Sequence, residues 1–225
     1  DAMILASAVP NGFAGRVIDL GSGAGAAGLA VASRCPDTNI TLVERSAFMA
    51  GFARKSIAHP LNTALASRIS VIEADVALRG KARIAAGLVD NSFDFAIMNP
   101  PFNEARDRST PDPLKAEAHV MPEGMFEQWV RTAAAVVKPG GGIAIIARPG
   151  SISAILEALS GRFGGLKIVP VQPRPNAAAI RIVVTGIRGS RAGLSLMPAL
   201  VLHGSEGHGF TQRADGINNG LDALI

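Results

Sequence analysis

Asn99-Pro100-Pro101-Phe102 closes the apolar run Phe93-Asp94-Phe95-Ala96-Ile97-Met98, and its residue types suit the holding of a flat amine. Proline lacks a backbone N–H, fixes its own φ and pushes the preceding residue towards extended geometry. A strand must therefore stop here and leave a rigid, acceptor-rich corner. Its parts are the Asn99 side-chain amide, carbonyls with no competing N–H at positions 100 and 101, and the ring of Phe102. An aromatic amine offers two N–H donors and a planar ring, which two converging acceptors and a stacking face would match. The alternative is a proline-terminated strand with Phe102 in the core, and these four residues alone leave both open.

A second constellation lies upstream. Gly23-x-Gly25-x-x-Gly28 follows the apolar segment Arg16-Val17-Ile18-Asp19-Leu20-Gly21 and opens a helical stretch, and Glu44 ends the next apolar segment. That is the spacing of a dinucleotide fingerprint, so a nicotinamide dehydrogenase is one reading. Asp19 argues against it, because a carboxylate beside the glycine turn repels a pyrophosphate and attracts a ligand bearing an ammonium and a sulfonium. S-adenosylmethionine carries both charges, and its carboxylate can use the helix N-terminus that Gly21, Gly23 and Gly25 expose. Glu44 would take the ribose hydroxyls and Asp75 would accept from the adenine amine; capping a helix is the alternative for Asp75.

The elements that must position these residues alternate. Apolar strands are expected at 16–20, 39–44, 69–73, 93–98, 143–147, 166–171 and 180–187. Helices are expected at 29–34, 47–58, 76–86, 122–137 and 152–159. Continuous apolar runs separated by helices describe a mostly parallel α/β sheet covered on both faces. Lys138-Pro139-Gly140-Gly141-Gly142 reads as a turn, residues 103–121 as a charged substrate lid, 194–203 as an edge pairing and 204–225 as a flexible tail.

Composition narrows the class. With no Tyr and one Trp among 225 residues, few rings are available for stacking, which gives Phe102 more weight. Cys35 is the only cysteine and the four histidines lack metal-binding spacing, so neither a disulfide nor a metal is expected, and a reducing, cytoplasmic setting fits. No run of about eighteen apolar residues predicts a membrane span. The opening Asp1-Ala2-Met3-Ile4-Leu5-Ala6 reads as a short helix that starts mid-pattern, so 1–225 is taken as one domain incomplete at its N-terminus. The net charge of +4 leans towards a polyanionic partner.

Asp19-Leu20-Gly21-Ser22-Gly23-Ala24-Gly25, Glu44, Asp75 and Asn99-Pro100-Pro101-Phe102, in this order, resemble the seven-stranded, Rossmann-like S-adenosylmethionine-dependent methyltransferases that methylate planar nitrogens. With Ala116-x-Ala118-His119, the Val137-Lys138-Pro139-Gly140-Gly141 turn and Arg181-Ile182-Val183-Val184-x-Gly186-Ile187-Arg188-Gly189, nearly the whole chain is similar to the tRNA adenine N6-methyltransferases that act beside the anticodon of valine tRNA. The resemblance implies methyl transfer to the N6 amine of an RNA adenine, with Asn99, Pro100 and Phe102 at the amine. Asp19, Gly21, Gly23, Gly25, Glu44 and Asp75 would then hold S-adenosylmethionine. The tRNA would meet a basic surface of Arg106, Arg108, Lys115, Arg174, Arg181, Arg188 and Arg191. Guanine N2 and protein glutamine methyltransferases share the NPP-aromatic motif and remain alternatives, as does a non-catalytic RNA-binding module.

Overall fold

Successive residues of a strand point to opposite faces of its sheet, so a strand buried on both sides is apolar at every position. The computed structural model, which describes residues 1–101 and 124–225, shows this partition. Val17, Ile40, Leu42, Ile97, Ala144 and Ile146 face one core, with helices Ala2–Ser7 and Ala26–Arg34. Ile18, Leu20, Val43, Met98, Ile143 and Ile145 face the other, with helices Met125–Val136 and Ile152–Leu159.

The strands are β1 (Gly15–Leu20), β2 (Thr38–Glu44), β3 (Ile69–Glu73), β4 (Phe93–Met98), β5 (Val137–Ala147), β6 (Phe163–Gln172) and β7 (Arg181–Arg188). Two-residue strands follow, β8 (Ser195–Leu196) and β9 (Leu200–Val201). The order is β3-β2-β1-β4-β5-β7-β6-β8, with β9 also on β6. β7 is antiparallel to both of its neighbours, and the other pairings are parallel. The α/β expectation therefore holds, with nine strands among the described residues where seven were expected; the extra two are the predicted edge pairing of 194–203.

Three expectations change. The weak helical stretch at 76–86 shortens to Gly80–Ala85, preceded by a turn. Lys138 to Gly141, expected as the turn between a helix and a strand at 143–147, lie inside β5 and bulge there, the partner jumping from Phe93↔Val137 to Phe95↔Gly142. Gly142 must lack a side chain there, because a Cβ would stand 2.3 Å from the Phe95 ring. The tail is folded: Thr211 caps helix Gln212–Asn218, and Ala214, Ile217 and Leu224 are buried in the first core. The Leu224 amide donates to the Ser7 carbonyl at 2.7 Å, and Arg213 donates to the Leu224 carbonyl at 2.6 Å. Gly-rich composition around 204–209 hid this short apolar spacing. The expected lid at 103–121, with Phe102, lies outside the described residues.

Candidate active site

The strand order reverses between β1 and β4, and in open α/β sheets ligands bind beyond the carboxyl ends of the strands at such a switch point. Every expected site residue that the structure describes stands on that rim. Leu20 pairs with Met98 in register, so Gly21 and Asn99 leave adjacent strands side by side. Glu44 ends β2, and the Ala74 amide, next to Asp75, donates to the Glu44 carbonyl at 3.1 Å.

The glycine turn is held from below. The amides of Gly21 and Ser22 both donate to the Val43 carbonyl at 2.9 Å, and that of Gly25 to the Ser22 carbonyl at 2.9 Å. Gly21, at φ +73°, also has a steric role: a Cβ would sit 2.2 Å from Cη2 of Trp129, so the benzo edge of the indole lies against the glycine backbone. Gly28 lets its helix approach β2, since a Cβ there would meet Leu42 Cδ2 at 2.3 Å. The turn thus has one wall made by the protein's only tryptophan, on helix Met125–Val136. Thr132 fixes this helix by donating from Oγ1 to the Val76 carbonyl at 2.7 Å. Trp129 was missed in the sequence because nothing local ties it to Gly21; its rarity was the available signal.

Asp19 is 2% exposed and accepts from the Gly28 amide at 3.0 Å. Burial pushes its carboxyl up to about 7; the Gly28 amide pulls the other way and the negative charge of Glu44 adds to the rise. A cation placed beside it would favour its charged form. Glu44 accepts from the Gly23 amide through Oε2 at 2.9 Å and from the Ser46 amide through Oε1 at 2.8 Å, with lone pairs left for hydroxyl donors. Asp75 is exposed and accepts from the Ala77 amide at 2.8 Å, closing a turn and not capping a helix. Within the helix that opens at Ala26, the Gly28 amide goes to Asp19, which leaves those of Ala26 and Ala27 without a backbone acceptor among the described residues.

Two buried polar atoms at this rim have no hydrogen-bond partner among the described residues: Ser22 Oγ and Asn99 Oδ1. A buried acceptor without a donor costs roughly 1–3 kcal/mol, so such an atom asks for a ligand. Pro100, beside Asn99, is buried.

Of the later arginines expected on a basic surface, Arg191 is exposed and the other three also hold neighbouring segments. Arg174 donates to the carbonyls of Gly204 and Gly207 at 2.8 and 2.7 Å, Arg181 to Asp1 at 3.0 Å, and Arg188 to Asn91 and the Val137 carbonyl. These guanidiniums tie loops together because flexible, Gly-rich connections leave carbonyls in need of donors. Arg106, Arg108 and Lys115 lie outside the described residues. Among the described residues no cluster of three or more His, Cys, Asp or Glu could hold a metal, and no helix is long and apolar enough to cross a membrane.

Sheet order, switch point, glycine turn and acidic strand ends together define a Rossmann-like methyltransferase fold. The chain belongs to the methyltransferase small domain family, whose model matches residues 2–172. A solved structure from Agrobacterium tumefaciens, described as a predicted O-methyltransferase, has a TM-score of 0.87 and 46% identity over 100% of this chain and 98% of its own. Ribosomal RNA large subunit methyltransferase G of Pseudoalteromonas translucida is 34% identical over 90 residues, 40% of this chain and 21% of that protein. Ribosomal RNA small subunit methyltransferase C of Haemophilus influenzae is 30% identical over 106 residues, 46% of this chain and 27% of that protein. The matched region thus spans about a quarter of the length of these two relatives. Family membership makes S-adenosylmethionine the cofactor, and the residues fit it: a cation would favour the charged form of the buried Asp19 carboxyl, Glu44 would have lone pairs for ribose hydroxyls, and the glycines leave backbone room.

Proposed function

We propose that this enzyme methylates the exocyclic N6 amine of an adenine in RNA, tRNA being the expected substrate. The observation that carries the reading is Asn99 Oδ1, a neutral acceptor buried without a partner among the described residues, where β4 meets the switch point. When bound, S-adenosylmethionine supplies a methyl on a sulfonium that departs as a neutral thioether. Asn99 Oδ1 and the Pro100 carbonyl accept the two N–H groups of the amine and turn its lone pair towards the donor. The attacking nitrogen gains positive charge, so both acceptors bind it more strongly in the transition state than in the ground state. Fixing its direction removes several kcal/mol more from the barrier. The amine sheds its proton to solvent after transfer.

A hydroxyl nucleophile would need a base to take its proton, and the Asn99 amide is none; this favours nitrogen over the oxygen chemistry in the description of the Agrobacterium relative. RNA as the substrate class is supported by the two ribosomal RNA methyltransferases that the chain resembles. A buried free thiol at Cys35 suits the cytoplasm, where we place the enzyme. The test is transfer of labelled methyl to bulk tRNA that lacks the modification, with ribosomal RNA in parallel, followed by nucleoside identification. N6-methyladenosine is expected; label in 2′-O-methyl nucleosides, in guanosine or only in protein would reject the reading.

A further inference from the structure

Helix Ala47–Ile57 turns Ala50 and Ala53 inward, and these small side chains seat it close to the sheet. Its outward face carries Phe48, Phe52 and Lys55, spaced so that they lie one above another on the surface. Phe48 is 57% exposed and Phe52 42%, whereas Phe93, Phe95, Phe126 and Phe163 are all buried. The two exposed rings meet edge to face with centroids 4.9 Å apart, and the Lys55 ammonium stands 5.5 Å from the Phe52 ring. Residues 45–59 contain Arg45, Arg54, Lys55 and His59 and no Asp or Glu. Of these cations Arg54 is paired with Glu73 at 2.5 Å, and Arg45 and Lys55 are exposed.

The helix is also tied to the cofactor rim. The amide of its cap, Ser46, donates to Glu44, and Met49 Cε lies 3.6 Å from where a Cβ on Gly23 would be. Resting on the RNA reading above, we propose that Phe48 and Phe52, with Arg45 and Lys55, form a stacking platform for a nucleotide that flanks the target base in a single-stranded RNA loop. Exposed rings beside unneutralised cations match a base and its phosphate together, a combination that a purely apolar protein partner does not use. The helix cap bonds to Glu44 at the end of β2, and β2 lies two strand spacings, about 10 Å, from β4, which leads into Asn99, so the helix starts on the same rim as the proposed amine site.

The experiment compares wild type with Phe48→Ala/Phe52→Ala and with Lys55→Glu, using a fluorescein-labelled single-stranded RNA of roughly ten nucleotides and S-adenosylhomocysteine as separate probes. The double variant is expected to bind RNA about a hundredfold more weakly, with S-adenosylhomocysteine affinity and melting temperature retained, because both rings are on the surface. Lys55→Glu is expected to weaken RNA binding and flatten its salt dependence. Unchanged RNA affinity in the double variant overturns the platform while leaving the RNA reading intact. A wild type that binds S-adenosylhomocysteine but no RNA overturns both. A matching loss of S-adenosylhomocysteine affinity assigns the rings to the cofactor site and overturns the platform. So does sedimentation showing a wild-type dimer that the double variant abolishes with RNA affinity unchanged.

Discussion

On the β2 side of the switch point the Glu44 carboxylate already accepts from Gly23 and Ser46, and Asp19 from Gly28; on the β4 side Asn99 Oδ1 is buried and accepts from nothing among the described residues. The cofactor half is shaped in advance by hydrogen bonds the protein makes to itself. The acceptor half keeps an atom that no described residue satisfies. On the proposed reading, the cofactor site would form without substrate, and the transition-state contact would lie where substrate supplies the donor.

The largest effect that tests this contrast is on Asn99. Asn99→Ala is expected to lower single-turnover methyl transfer by about 10²–10³, with S-adenosylhomocysteine affinity within about twofold by calorimetry. On the other side, Glu44→Ala is expected to weaken S-adenosylhomocysteine by about 10–100-fold and to lower the melting temperature, because two amides lose a charged acceptor. Parity between these two variants in cofactor affinity would erase the distinction.

Asp19 sharpens the contrast through pH. Its carboxyl lies at about 7 in the fold against an ordinary 3.8, so the native state favours the protonated form. Its contribution to stability is therefore full below about pH 4, declines as pH rises and is lost above about pH 7. Asp19→Asn is expected to be more stable than wild type at pH 8, by up to a few kcal/mol, in urea melts, and to bind cofactor more weakly. Wild-type affinity for S-adenosylhomocysteine, which carries an ammonium, is expected to tighten between pH 6 and pH 8 and to release protons at pH 6, read from calorimetry in buffers of different ionisation enthalpy. Asp19→Asn should show neither trend.

Smaller effects follow from the supports. Gly21→Ala drives a methyl into the Trp129 ring and is expected to cost about 1–3 kcal/mol and to shift the emission of this single tryptophan. Thr211→Ala removes the cap of the last helix and is expected to cost about 1 kcal/mol with no change in methyl transfer.

What the sequence made legible is what local chemistry dictates. Continuous apolar runs gave β1 to β4 within a residue at either end, and the glycine spacing with Asp19 and Glu44 fell together at the strand ends beside the switch point. Features set by distant contacts stayed hidden. Trp129 meets Gly21 only because the sheet brings helix Met125–Val136 over the turn. Arg174 and Arg188 read as phosphate contacts because sequence shows a charge and not the carbonyls it ties. Asp75 does not take the helix-capping alternative; its oxygen accepts from the Ala77 amide and closes a turn. The Gly-rich tail masked a helix whose apolar spacing is too short to register without its cap.

The most direct measurement combines an equilibrium titration of S-adenosylhomocysteine with single-turnover transfer to unmodified tRNA, for wild type and Asn99→Ala side by side. An intact cofactor isotherm with transfer abolished places Asn99 at the amine. Equal transfer rates, or a lost isotherm with the remaining transfer unimpaired at saturating cofactor, would contradict the account.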